Sequence, residues 1–280
     1  MNRGTLLISR MDLRTRALLM ATALCCPLWA LAHDSWLAGG QRTVPVGKSL
    51  AFDMTSGEHF PVAGSAIARD RIEVSACRQG SKTFALQPTG RSPKALRLTA
   101  DAPAPDAVTC WVQLKPRVLD LAISKVEEYL DEIDAPPSVR EAWARSPSPK
   151  RWKETYTKNA KVLVPMAGTS ARSSSADTPV GLKLELVADV DLTGGRVSGT
   201  LPVTVLLDGK PLAGLAVAMT GEHKAPVQRQ RTDAQGKVVF AAPKAGRWML
   251  SATDLRPVDI AQGTWESQFT TFVFEVVEGP

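Results

Sequence analysis

The run "DRIEVSAC", Asp70–Cys77, alternates apolar with polar side chains, and short segments of this kind recur almost to the end of the chain. A period of two belongs to a strand with one face buried and one face wet. "KTFALQ", "ALRLTA" and "AVTCWVQL" follow, divided by Gly, Pro, Asp and Ser. On this pattern Ile72, Val74 and Ala76 point inward. Residues 33–116 are therefore expected to form an antiparallel β-sandwich of about seven strands.

The middle of the chain changes period. "LDLAISKVEEYLDEID" sets Leu119, Ile123, Val126 and Leu130 at helical spacing. After Pro136-Pro137, "SVREAWAR" offers Ser138 as an N-cap with Glu141 at capping-box distance. A helical hairpin is expected, then a strand-like run in "KRWKETYTKNAKVLVPM" and a polar linker in "AGTSARSSSADTP". Strand patterns return with "LKLELVA", "LPVTVLLDGKPLAGLAVAMT", "GKVVFAAP", "RWMLSATD" and "SQFTTFVFEVV", with turn signals at Asp208-Gly209 and Asp233–Gly236. The expected fold is mainly β: two β-sandwich domains, 33–116 and 180–280, with a helical insert and linker over 117–179.

The first thirty-two residues have the layout of a cleavable secretory signal. Arg3, Arg10, Arg14 and Arg16 precede an apolar run from Ala17 to Leu31, with small residues at Ala30 and Ala32. Cys25 and Cys26 offer a lipidation alternative, but Thr22-Ala23-Leu24 is a poor lipoprotein cleavage sequence. Cleavage after Ala32 removes those four Arg and Asp12, lowering the formal net charge from +6 to +3. So mild a charge, without clustered Lys and Arg among aromatics, sets nucleic-acid binding aside. No later run is long and apolar enough for a membrane-spanning helix. A periplasmic location is expected, and there Cys77 and Cys110, the two cysteines left, are expected to form a disulfide.

Cleavage would make His33 the first residue. A terminal His offers an α-amino nitrogen and an imidazole nitrogen to one ion, and His59 in "GEHFP" could supply a third nitrogen, a set suited to copper and acceptable to nickel. Asp34 and Glu58 stand beside these histidines as hard ligands or as hydrogen-bond partners of an imidazole. The bland alternative leaves His33 an accident of the junction and His59 an inert strand-end residue. His223, in "TGEHKAP", is expected in solvent.

Other chemistries find little support. There is no G-x-S-x-G elbow and no phosphate loop, and Glu127-Glu128 and Asp131-Glu132 beside Lys125 read as a solvated helix face. Core packing is the default expectation for the tryptophans, with Trp111 able to pack over the disulfide and Trp248 and Trp265 flanking strands of the second domain; Trp36, three residues from His33, is the exception, placed where an indole could shield a metal from water. A copper monooxygenase would place an aromatic near the axial position, and both tyrosines, Tyr129 and Tyr156, fall in or beside the helical insert.

Taken in order, "AHDSWL", "GEHFP", "EEYLDE", "YTKNAKVLV", "PVGLKLELV", "LPVTVLLDGKPLAGLAV", "RTDAQGKVVF", "AGRWMLSA" and "WESQFTTFVFE" resemble the DUF4198 family over nearly the whole mature chain. The resemblance implies an exported protein related to periplasmic components of NikM/NikK-type nickel and cobalt uptake systems. The segment from Gly209 to Ala252 also resembles transthyretin-like sandwiches. Family members often carry a histidine after the strand equivalent to "RWMLSA", where this chain has Thr253-Asp254. The expected function is a non-catalytic metal-binding accessory protein for nickel, cobalt or copper, serving a membrane transporter component. The site would be His33, His59, Glu58 and Asp34. The alternative is a β-sandwich interaction module that binds a protein or glycan at the cell envelope.

Overall fold

The computed structural model describes residues 33–40, 49–101, 106–165, 178–222 and 226–277. The expected signal segment and His223 lie outside them. The first strands are β1 (Asp34–Gly39), β2 (Ser49–Gly57), β3 (Ser65–Ala66), β4 (Ile72–Gln79), β5 (Lys82–Ala85) and β6 (Gln87–Arg91). Then come β7 (Leu96–Asp101), β8 (Val108–Leu114) and β9 (Arg117–Asp120), the helices α1 (Val126–Glu132) and α2 (Pro137–Ala144), and the long strand β10 (Lys153–Val164). The remainder is β11 (Leu184–Ala188), β12 (Thr200–Leu207), β13 (Lys210–Pro211), β14 (Ala216–Gly221), β15 (Gln228–Arg231), β16 (Lys237–Ala241), β17 (Gly246–Asp259) and β18 (Thr264–Val276).

These strands make three sheets. A nine-stranded sheet runs β15-β14-β17-β18-β10-β8-β4-β5, with β9 beside β10. A five-stranded sheet, β1-β2-β7-β6 with β3 on β2, packs over part of it, and a four-stranded sheet of β11, β12, β13 and β16 completes the second core. Both halves of the chain thus contribute strands to one central sheet. Its middle is the parallel pair β10–β18, in register from Lys153 opposite Thr264 to Val162 opposite Val273. The described residues form one compact unit.

The central strands bury both faces. In β10, Ala160, Val162 and Val164 enter the core beneath the five-stranded sheet, and Leu163 enters the other. In β18, Val273 faces the first core while Phe272 and Phe274 face the second. Strands covered on both sides lack strict alternation, and β18 accordingly buries the consecutive residues Phe272, Val273 and Phe274, with the polar Thr270, Thr271 and Glu275 buried beside them. Burying one Phe contributes on the order of 2–3 kcal/mol.

Several local expectations change. Ile72 packs against the first core, but Val74 is exposed and Cys77 is buried. The register against β8 shifts between Ile72 and Val74, and this bulge reverses which parity faces inward. Leu119 lies in β9, pairing with Glu154 of β10, so the helical pattern begins later than its spacing suggests. Helix α2 starts at Pro137 with Pro136 at its N-cap position, so Ser138 is not the cap. A proline's fixed φ suits the first helical position, where its missing N–H is not needed.

Cys77 and Cys110 are bonded, as directly opposed residues of β4 and β8. Trp111 is buried but belongs to the opposite face of β8 from Cys110, so it does not cover the disulfide. Trp248 joins the second core. Trp265 instead stacks on Trp152 at 4.4 Å, and Trp152 meets Tyr129 of α1 and Trp143 of α2 edge-on. Tyr129 Oη, Trp152 Nε1 and Ser267 Oγ all donate to the buried Glu154 carboxylate, which fixes the helical hairpin to the sheet. The Asp208-Gly209 turn forms as read: both residues have positive φ, and Leu207 pairs with Lys210.

Candidate functional site

A cleft of about 820 Å³ opens where the head of β1 lies over the central sheet. One wall is Asp34 and Trp36 of β1 with the turn Gly57–Val62 that follows β2. The opposite wall is formed by β14 and β17, including Ala218, Thr220, Met249, Ser251 and Thr253, and the end of α1 adds Glu132 and Ile133. Trp36 and Phe60 meet edge-on at 5.7 Å.

Two side chains of the central sheet anchor β1. Lys158 Nζ donates to the His33 carbonyl at 2.5 Å, and Thr271 Oγ1 donates to the Ser35 carbonyl at 2.7 Å. These bonds satisfy carbonyls at the start of β1, whose outer edge pairs with no other strand among the described residues. Burial pulls the Lys158 ammonium down to a pKa of about 8, against the opposing pull of Asp34. Burial likewise raises Asp34 to about 6, moderated by Lys158 and by a hydrogen bond with Ser251. Glu132 is also raised by burial, with His33 acting against that shift.

Folding brings the two histidines to one carboxylate. His33 Nε2 lies 2.8 Å from Glu58 Oε1, and His59 Nδ1 lies 3.8 Å from Glu58 Oε2. Register explains the first contact: Asp34 of β1 pairs with Gly57 of β2, so the residues just beyond them, His33 and Glu58, are adjacent. A carboxylate only accepts, so Nε2 carries the proton, and a neutral His33 then has its lone pair on Nδ1. That is the nitrogen able to close a chelate ring with the α-amino group of the same residue. Glu58 accordingly orients His33 in the manner of a carboxylate behind a metal-bound imidazole. His59 is 83% exposed and free to turn.

The fit to a transition-metal ion is partial. Among the described residues no group of three or more His, Cys, Asp and Glu side chains is arranged to hold a metal ion. The donors that fit are His33, supplying two nitrogens once it is terminal, and His59. Asp34 is turned to Lys158 and Ser251, so of the four expected residues it is the one best explained by anchoring.

Asp254 is not a substitute ligand. It hydrogen-bonds Arg256 at 2.7 Å and lines a separate small pocket with Lys183 and Glu266, whereas Thr253 lines the cleft. Sequence reasoning missed Lys158, Glu132, Ser251 and Arg229. Only Lys158 left a signal, as a charge within the strand-like "YTKNAKVLV".

Sandwiched sheets with two short helices and a cleft at the head of β1 make this a mainly β protein. The chain belongs to the DUF4198 family, described as a domain of unknown function, whose profile matches residues 30–254. No curated protein matches it. Among solved structures, the D0-D1 domain of Intimin is 15% identical and aligns over 86% of this chain and 97% of its own, with a TM-score of 0.22. Native alpha-2-macroglobulin from Escherichia coli, spanning domains MG0-NIE-MG1, is 10% identical over 85% and 94%, with a TM-score of 0.21. Among the described residues no helix is long and apolar enough to cross a membrane.

Proposed function

We propose that this protein is a periplasmic carrier of a transition-metal ion, binding it without turnover through the processed N-terminal residue His33 together with His59. The observation that carries the reading is the Glu58 carboxylate between the two imidazoles, with His33 Nε2 at 2.8 Å and Nδ1 left for the ion. The Cys77–Cys110 disulfide supports export to an oxidising compartment. Nickel or cobalt is favoured by the family resemblance, and copper by the nitrogen-rich donor set. Delivery to a membrane transporter component follows from the same resemblance.

The test is titration of protein beginning at His33 with Ni(II), Co(II) and Cu(II), repeated with one extra residue before His33. Tight binding is expected only for the first form, with proton release, because the amine must lose its proton. Binding no tighter than millimolar in both forms would sink the proposal.

A second reading, an interaction module without metal, draws on the exposed Val62 and Val227 at the rim of the cleft. It expects silent titrations and capture of an apolar segment by the same cleft.

A further inference from the structure

A second concavity lies between α2 and β17 and shares no lining residue with the cleft at β1. It is a groove of about 570 Å³ with the buried Val139, Ala142, Leu215 and Leu255 as its floor and Pro257 and Ile260 at its rim. Ile260 also lines an adjoining polar pocket of about 280 Å³, together with Ser146, Ser148, Arg151 and Gln262. Arg145 lines the groove and Ser146 the polar pocket, so consecutive residues join the two. An apolar trough that ends at a few placed polar groups has the make-up of a small-molecule site. Neither Arg145 nor Arg151 makes an ion pair among the described residues. The third guanidinium, Arg256, is paired with Asp254 at 2.7 Å. The charges next along the chain balance, with Lys150 and Lys153 against Glu141 and Asp259.

We propose that the groove and its polar pocket bind a single-chain lipid anion, with the acyl chain along α2 and the anionic headgroup beside Arg145 and Arg151. The division of character selects this class. Apolar lining on one side, and two unpaired guanidiniums at the join and in the polar pocket, match a molecule with one tail and one charged head. A guanidinium offers paired N–H donors to a carboxylate or a phosphate, and the Ser148 hydroxyl and Gln262 amide stand on the same pocket. An acidic peptide would need free cations spread along the groove, where Arg256 is already engaged by Asp254. A free phosphate would leave the apolar groove in water. None of these residues touches the site at His33, so the inference stands apart from the metal reading.

Calorimetric titration of protein beginning at His33 with octanoate, decanoate and dodecanoate, each below its micelle concentration, tests this. Saturable binding of one lipid per chain is expected, tightening about two- to fourfold with each added methylene. Dodecyltrimethylammonium, the same chain on a cation, is expected to bind about tenfold more weakly or not at all. Arg145→Gln and Arg151→Gln, both at exposed positions, should each weaken dodecanoate about tenfold. Ala213→Trp, on the exposed turn before β14, should abolish binding with the urea midpoint unchanged. Should that variant lower the midpoint, the two arginine variants and the chain-length series decide. Affinity independent of chain length, equal binding of the cationic amphiphile, or full binding by the arginine variants would overturn the proposal. So would inorganic phosphate binding as tightly as dodecanoate, which leaves an anion pocket alone, or attachment to phosphatidylglycerol vesicles without binding of dodecanoate, which leaves a membrane surface.

Discussion

The ammonium of Lys158 in β10 reaches the carbonyl oxygen of His33 at 2.5 Å, across 125 residues of sequence. Through this bond the central sheet sets where β1 begins, and so where a processed N-terminus would sit. Lys158→Met should leave that carbonyl unsatisfied and Asp34 without its nearest cation. A loss of about 1–3 kcal/mol is expected. Urea unfolding measures it, and hydrogen exchange should quicken selectively at residues 34–37; unchanged exchange there would contradict the anchoring role.

On the proposed metal reading, Glu58 orients His33 through the 2.8 Å contact to Nε2 rather than joining the ligand set. Glu58→Ala should lower metal affinity about 10–100-fold, the usual effect of losing a carboxylate behind a ligating histidine. Glu58→Gln keeps an acceptor for Nε2–H and should lose less. Metal titration of the two variants distinguishes this role from direct ligation, in which Gln would be as damaging as Ala.

Glu185 lies in the interior, accepting from Lys161 Nζ at 2.8 Å and from the backbone N–H groups of Val180, Gly181 and Leu182. Burial alone raises its carboxyl, but Lys161 and these donors together hold it below 4.5. A carboxylate with a depressed folded-state pKa stabilises the fold above its unfolded value, and that contribution fades as pH falls through the folded one. Glu185→Gln leaves Lys161 buried without its counter-charge, a loss of about 3–5 kcal/mol at neutral pH. The gap between variant and parent should be widest above pH 4.5 and should narrow in stronger acid. Denaturant titrations at several pH values check the sign.

The disulfide closes a loop across a sequence separation of 33 residues. In the chain-entropy account that is worth about 3–4 kcal/mol. Replacing Cys77 and Cys110 together with Ala should lower stability by that amount, and reducing the parent protein should produce the same shift in denaturation midpoint.

Glu154 receives three side-chain donors, from Tyr129, Trp152 and Ser267. Glu154→Ala should orphan all three at about 1–3 kcal/mol each and free the helical hairpin before the sandwich itself melts. Faster hydrogen exchange over residues 126–144, with tryptophan emission shifted to the red, would report the release.

Period-two runs, turn pairs such as Asp208-Gly209 and two cysteines near strand ends were enough, in the sequence itself, to indicate a mainly β fold with one bridge. These are local properties: side-chain alternation, backbone conformation at a turn, and composition all act within a few residues. The sequence also singled out His33, Glu58 and His59, because rare residue types stood beside a cleavage junction and a turn. Tertiary structure alone decided which faces those strands would show. The bulge in β4 reversed the inward parity from Val74 to Cys77, and the pairing of β10 with β18 put strands of both chain halves into one sheet. It also seated Lys158 beneath β1, removed Asp254 to a different pocket and opened the cleft between β1 and β17. Such outcomes depend on contacts between residues a hundred or more positions apart, where closure of the chain and burial of whole faces outweigh any preference written in a short run.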